Sequence, residues 1–176
     1  SSQIGEKSCN FMCELAEYTD SDVVFDITDK DALDTELPCQ VILYQGLPKS
    51  DKLEFIIQKA VELGAVQIVP VAMKRCVVKL DDKKAAAKLP RWNAISESAA
   101  KQSKRSIIPK VRPVMSYAAA LNEAAKCDIS FVPYENEKGM AETRRLVSSI
   151  SAGNTVAVFI GPEGGFEDDE IEEARK

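Results

Sequence analysis

Residues 40–71 read QVILYQGLPKSDKLEFIIQKAVELGAVQIVPV. Val41-Ile42-Leu43-Tyr44 is an apolar run that fits a strand buried on both faces. Gln45-Gly46-Leu47-Pro48 turns the chain. Asp51 then begins a helix whose Leu53, Ile56, Ile57, Ala60 and Val61 recur at helical spacing, and Gly64 stops it. Ala65 to Val71 supplies a second strand. A strand, a helix and a strand within about thirty residues form the unit from which parallel sheets are built.

The same rhythm continues toward the C-terminus. Lys83–Leu89 and Arg91–Lys104 read as two helices, with Pro90 at the first position of the second. Ile107–Val114 is extended and carries two prolines, which suits a sheet edge. Ser116 is placed to cap a helix over Tyr117–Lys126. Asp128–Val132 reads as a strand, Thr143–Ile150 as a helix and Thr155–Ile160 as the last strand. Toward the N-terminus the pattern changes. Residues 9–15 alternate, Val23–Ile27 reads as a short strand, and the acidic stretch Glu17–Asp22 reads as their hairpin connection. Asp29–Pro38 resembles a linker. The expected fold is α/β, a mainly parallel sheet with helices on both faces, preceded by β-rich residues.

The 176 residues are 45% hydrophobic and 29% charged, which is globular composition. No apolar run reaches the length of a membrane span. The first residues, Ser-Ser-Gln-Ile-Gly-Glu-Lys, lack the apolar segment of a secretory signal and an initiator Met. Five cysteines are scattered without a CxxC pair, and the chain has no His. These features argue for reduced thiols in a cytoplasmic protein without a metal site. They exclude Ser-His, Cys-His and His-metal chemistry from this chain.

The net charge of −5 is unevenly spread. Residues 74–112 hold twelve Lys/Arg against Asp81, Asp82 and Glu97, so they carry +9 and the remainder −14. Such a block is either a phosphate-binding face or a pair of solvated helix faces. The other local signal is Gly161-Pro162-Glu163-Gly164-Gly165 after the last strand. In open parallel sheets ligands sit beyond the carboxyl ends of strands. Glycines there let the backbone approach a flat heterocycle. The spacing matches neither GxxxxGK[ST] nor GxGxxG. The acids at 167–170 would also repel a pyrophosphate. A tight strand-to-helix turn without a ligand is the alternative.

Six stretches in order carry a resemblance: LYQGLPKSDKLEFIIQKAVELG, IVPV, KRCVVKL, RWNAISESAAKQSKRSIIPKV, FVPYENE and FIGPEGGFEDDEIEEA. From about residue 37 to 176 the chain resembles the bacterial 16S ribosomal RNA (uracil-N3)-methyltransferases of the SPOUT class. The resemblance implies residues 1–38 as part of a small PUA- or OB-like RNA-binding β-barrel with its linker. It implies 39–176 as a SPOUT methyltransferase domain whose C-terminal trefoil-knot segment is absent. It further implies S-adenosylmethionine as methyl donor, a uridine of the decoding region of 16S ribosomal RNA or the small subunit as acceptor, and a homodimer. The competing reading is a non-catalytic RNA-binding α/β protein that uses the basic 74–112 face.

Carried onto this sequence, the cofactor would lie against Pro133, Tyr134, Glu135, Ile160, Gly161, Pro162, Glu163, Gly164 and Gly165. RNA contacts would fall on Arg75, Lys101, Gln102, Ser103, Lys104 and Arg105. Arg75 and Arg105 are the cations available to stabilise charge on the acceptor base, with simple phosphate contact as the blander role. No residue is assigned as the base. Glu167 stands where the family often has Ser or Thr as helix cap, and Asp168 or Asp169 is expected to cap instead.

Overall fold

The computed structural model describes residues 10–31, 35–134 and 141–175. A two-stranded antiparallel hairpin comes first, β1 (Asn10–Tyr18) and β2 (Val23–Asp31). Its turn closes through the Thr19 amide, which donates to the Asp22 carbonyl at 2.9 Å. The strands run longer than their apolar patterns predict, and irregularities in the register accompany the extra length.

The main sheet follows. Its strands are β3 (Gln40–Gly46), β4 (Ala65–Ala72), β5 (Lys110–Val111), β6 (Met115–Ser116), β7 (Ile129–Phe131) and β8 (Thr155–Ile160). Their spatial order is β5-β4-β3-β8-β7, with β6 also on β4, and every pairing is parallel. The expected α/β class and parallel sheet are therefore present. Helices α1 (Lys52–Glu62) and α2 (Asp82–Gln102) lead from β3 to β4 and from β4 to β5. Helix α3 (Tyr117–Ala124) lies on the way back across the sheet to β7. Right-handed crossovers put α1 and α2 on one face and this returning connection on the other. Helix α4 (Ala141–Ser149) joins β7 to β8, and α5 (Asp168–Ala174) follows β8.

The core forms where alternating strand residues meet helix stripes. Leu53, Ile57, Ala60 and Val61 of α1 are buried, as the spacing in the opening stretch predicts, whereas Ile56 is only partly covered. On adjoining strands, Tyr44 and Phe159 stack at 4.6 Å and 9°. Tyr117 meets Phe159 edge-on at 6.0 Å. Pro70 lies inside β4 without breaking it. It falls between the residues that pair with β5 and those that pair with β6, so its missing N–H costs no ladder bond on that side.

Edge strand β5 is held by side chains of α2. The Asn93 amide donates to the Val111 carbonyl at 3.2 Å and accepts from its N–H at 3.1 Å. Buried Ser96 donates to the Pro109 carbonyl at 2.5 Å. The strand is only two residues long, far shorter than the extended run expected over 107–114, because Pro109 and Pro113 bracket it.

Two expectations are corrected. The helices placed on either side of Pro90 are one helix, α2, with Pro90 inside it. Pro90 is exposed, while Trp92, Ala99 and Ala100 of the same helix are buried. Burial of that face carries the helix through the residue that propensity would use to break it.

The second correction concerns the linker over Asp29–Pro38. Residues 29–31 still belong to β2, and 35–38 are fixed to the sheet domain. The Glu36 carboxylate pairs with Arg105 and accepts from the amides of Ser106 at 2.9 Å and Ile107 at 3.1 Å. Arg105 also donates to the carbonyls of Val61 at 3.0 Å and Ala65. Leu37 packs so closely on Gly64 that a Cβ there would stand 2.6 Å from its Cδ1.

Two outcomes should follow in denaturant unfolding. Arg105→Ala, which strands the Glu36 carboxylate, is expected to cost about 3–5 kcal/mol; a loss below about 1 kcal/mol would contradict the clasp. Pro90→Ala is expected to stabilise by about 1–3 kcal/mol, and destabilisation would show that the helix depends on the proline.

Candidate functional site

At the centre of the sheet β3, which leads outward to β4 and β5, lies beside β8, which is reached from the opposite edge strand β7. The ground beyond the carboxyl ends of the strands is where open α/β sheets place ligands. The loops after β3 and β8 meet here. A Cβ on Gly46 would lie 2.7 Å from Pro162 and 2.9 Å from the Met73 sulfur, so glycine alone allows the two loops to close.

The glycine segment after β8 is a β-turn. The Gly165 amide donates to the Pro162 carbonyl at 2.8 Å, and Gly165 has φ +71°, a region that favours glycine. Three side chains hold it. The Glu163 carboxylate accepts from the Lys49 amide at 3.2 Å and from Lys52 Nζ at 3.1 Å. Its own backbone N–H, then Lys52, hold its pKa below the ordinary value. Arg75 donates to the Gly164 carbonyl at 2.8 Å and forks onto Glu167, with Nε 2.9 Å from one carboxylate oxygen and Nη2 3.1 Å from the other. Buried Gln45 directs its amide at the carbonyls of Gly46 at 3.0 Å and Gly161 at 3.3 Å.

Helix α5 leaves the turn toward β4. Its N-cap is Glu167 itself, not Asp168 or Asp169. The reason is Glu170, whose buried carboxylate accepts from the Glu167 amide at 3.0 Å and the Lys74 amide at 2.9 Å. Lys74 also pairs with Asp169. The Tyr117 hydroxyl donates to the Glu170 carbonyl at 3.0 Å, and burial pushes its pKa up to about 12.

The loop after β7 lies on the other side of β8. Pro133 is exposed, and the Tyr134 hydroxyl lies 3.1 Å from an Asp168 carboxylate oxygen. Glu135, the remaining expected member of that wall, lies outside the described residues. Ile160, at the end of β8, leaves 38% of its surface exposed. Thus the loops carrying Pro133, Tyr134 and residues 160–165 follow adjoining parallel strands.

The expected RNA and active-site cations divide. Arg75 lies at the glycine turn. Lys101, Gln102, Ser103, Lys104 and Arg105 close the far end of α2, a helix about 31 Å long at 1.5 Å per residue. Arg105 bonds the carbonyl of Ala65, the first residue of β4, so it sits at the amino end of the sheet. Its side chain is only 3% exposed. The structure therefore does not bring Arg105 to the mouth of the glycine turn, because Glu36 and two carbonyls hold it inside the fold. Ser103 donates to the Ala99 carbonyl at 2.7 Å, and Lys101 pairs with Glu97 at 2.7 Å. Sequence reasoning missed Gln45 and Glu170. The one signal for Gln45 was a polar residue ending an otherwise apolar strand.

Comparison with known proteins adds to this geometry. A family model described as an RNA methyltransferase domain matches residues 35–176. The chain belongs to the RNA methyltransferase domain family. The matched region begins at the residues that the Glu36 clasp fixes to the sheet. The chain is 40% identical over 163 residues to the ribosomal RNA small subunit methyltransferase E of Bacillus subtilis, covering 91% of this chain and 64% of that protein. It is 32% identical over 176 residues to the protein of the same name from Mesomycoplasma hyopneumoniae, covering 97% and 74%. A solved structure of a ribosomal RNA small subunit methyltransferase E from Neisseria gonorrhoeae, bound to S-adenosyl methionine, superposes with a TM-score of 0.74 at 30% identity. It covers 96% of this chain and 68% of that one. The chain thus spans about two thirds of the length of these relatives. Among the described residues no group of side chains is arranged to hold a metal ion, and no helix is long and apolar enough to cross a membrane.

As a methyltransferase-family domain without histidine, the protein has a simple pH response. Arg75 beside Glu167 and Lys74 beside Asp169 hold both carboxyls below their ordinary values of 4.5 and 3.8. Depressed folded-state values give stability that is complete above the ordinary range and lost as pH falls through the depressed values. The melting temperature should be flat from about pH 8 to about 5.5 and fall below about 4.5. A fall already complete at about pH 6 would contradict these pairs as the acid-sensitive element. Arg75→Lys, which loses the planar fork, is expected to speed hydrogen exchange at Gly164–Phe166 while leaving α1 unchanged.

Proposed function

We propose that the protein to which this chain belongs transfers a methyl group from S-adenosylmethionine to N3 of a uridine in the decoding region of 16S ribosomal RNA, acting as a homodimer in the cytoplasm. The observation that carries the reading is the pairing of two loops on adjoining strands, Pro133–Tyr134 and Ile160–Gly165, at the carboxyl ends of the parallel sheet. The donor set fits the methyl donor. Ile160 and Pro133 offer apolar surface, and the turn offers backbone groups without a Walker lysine. A nucleoside sulfonium suits such walls better than a polyphosphate. The bound cofactor supplies an electrophilic methyl on a sulfonium.

This chain's residues would do the positioning. Ile160 and Pro133 would flank the nucleoside, and the amides of Gly161 and Gly164 would be available to its polar edges. Arg75 keeps the turn in shape through Gly164 and Glu167 and so acts as a positioning residue. Aligning nitrogen, methyl and sulfur is worth up to roughly 7–11 kcal/mol. The acceptor nitrogen carries a proton in neutral uridine and must lose it as the bond to the methyl carbon forms. The base would have to be unpaired to reach the site. Residues 1–38 would extend the RNA contact as part of a small β-rich domain. Phe55 of α1 and Leu63 at its C-cap, 62% and 78% exposed, are apolar surface that a second copy would cover.

Calorimetry on the complete protein should give micromolar-range binding of S-adenosylmethionine. Gly161→Val should abolish it, since a Cβ there stands 3.1 Å from Gly165 and from the Phe166 ring. Labelled methyl should then appear on small-subunit RNA at a position that blocks Watson–Crick pairing. Label on a carbon or a ribose oxygen would refute N3, and an unlabelled RNA with bound cofactor would refute the substrate.

A further inference from the structure

The twelve cations of the 74–112 block are not equivalent. Seven are engaged in ion pairs: Lys74, Arg75, Lys84, Arg91, Lys101, Arg105 and Arg112. Among the described residues, Lys79, Lys83, Lys88, Lys104 and Lys110 form no ion pair. These five fall into two groups. Lys104 and Lys110 lie at the amino end of the sheet, where Lys110 pairs in register with Gln67 and the Lys104 carbonyl accepts from Thr35. Lys79, Lys83 and Lys88 lie at the carboxyl end, around the start of α2.

Beside the second group lies a cleft of about 400 Å³, whose walls include Leu47, Met73, Val78, Leu80 and Tyr117, and Lys83 follows Lys79 along the chain at the start of α2. Lys79 lines this cleft, and Lys88 lines a smaller one of about 40 Å³ that shares Leu47, Val78 and Leu80. The two lysines therefore flank one apolar ridge, and neighbouring Val77 is 67% exposed. The acids on the large cleft are Glu170, internally bonded to two amides, and exposed Glu173. Glu54, beside Lys88, is already held by Arg91. The cleft stands beyond β3 and β4, next to the glycine turn after β8 that forms one wall of the site proposed for the methyl donor, the other wall being the loop after β7.

We propose that this cleft and its lysines form the seat of single-stranded RNA next to the acceptor nucleotide, with Lys79, Lys83 and Lys88 on phosphates and the apolar ridge against an unstacked base. The Lys101–Arg105 segment then has no part in holding RNA. The inference rests on an RNA substrate as proposed above. Unpaired lysines keep their charge for phosphate, whereas ion-paired ones must first give up an intramolecular partner. Apolar surface between phosphate contacts is what single-stranded recognition uses for bases.

Binding of a small-subunit RNA fragment to the complete protein, measured across salt concentrations, separates the ideas. K79Q/K83Q/K88Q should flatten the slope of log K against log salt by about 2, at roughly 0.7 for each phosphate no longer neutralised. K104Q/K110Q should leave it as in the parent protein. All five side chains are exposed, so melting curves should be unchanged and folding is not in question. Photo-cross-links from 4-thiouridine RNA should fall in the peptide 72–92. An unchanged slope in the triple variant, or cross-links confined to 101–112, would overturn this seat while leaving the methylation reading intact. A parent protein that binds RNA with no salt dependence would instead remove the substrate reading itself.

Discussion

Everything at the carboxyl end of this sheet depends on the pairing of β3 with β8. The two strands are more than a hundred residues apart in sequence, yet they run parallel in register from Gln40 with Thr155 to Gln45 with Ile160. The stack of Tyr44 on Phe159 fixes that register from one face. A slip of one residue would place the two rings on opposite faces of the sheet. It would also separate Gly46 from Pro162, and with them the two loops whose contact defines the site. The ring stack adds about 0.5–1.5 kcal/mol beyond burial. Its larger effect is geometric, since it sets where every later loop begins.

From that pairing the remaining contacts follow in sequence. Gln45 continues β3 into the turn, Arg75 and Glu163 hold the turn from two sides, and Glu170 draws α5 onto the loop after β4. Exposed ion pairs such as Lys52–Glu163 contribute little each. Here they are tied to backbone groups as well, so what they fix is loop conformation. The arrangement joins strand ends that come from both halves of the sheet.

Much of the architecture was legible in the sequence because burial leaves a periodic trace. Strand β3, helix α1 and strand β4 show apolar residues at periods that match their burial, and Ser116 caps α3 as its position suggests. What was not legible depended on context outside the local window. Pro90 signals a boundary locally, but packing on either side of it carries the helix past. Arg105 and Lys88 are both basic residues of one block. Only the fold shows that one is locked inside by Glu36 and the other lies at a cleft. Charge composition records that cations exist and not which of them are already spoken for. The glycine turn was readable as a turn, whereas its clamp by Arg75 joins residues 89 positions apart.

The side chain of Asn93 has a further consequence. An edge strand such as β5 would ordinarily offer its outer N–H and C=O to any extended segment that drifted past, which is how open sheets recruit foreign strands. In this sheet the Asn93 amide occupies both groups of Val111, and prolines lie on either side. The outer border is thereby closed to strand addition without spending another strand on it. A single amide on a neighbouring helix acts as a guard against aggregation.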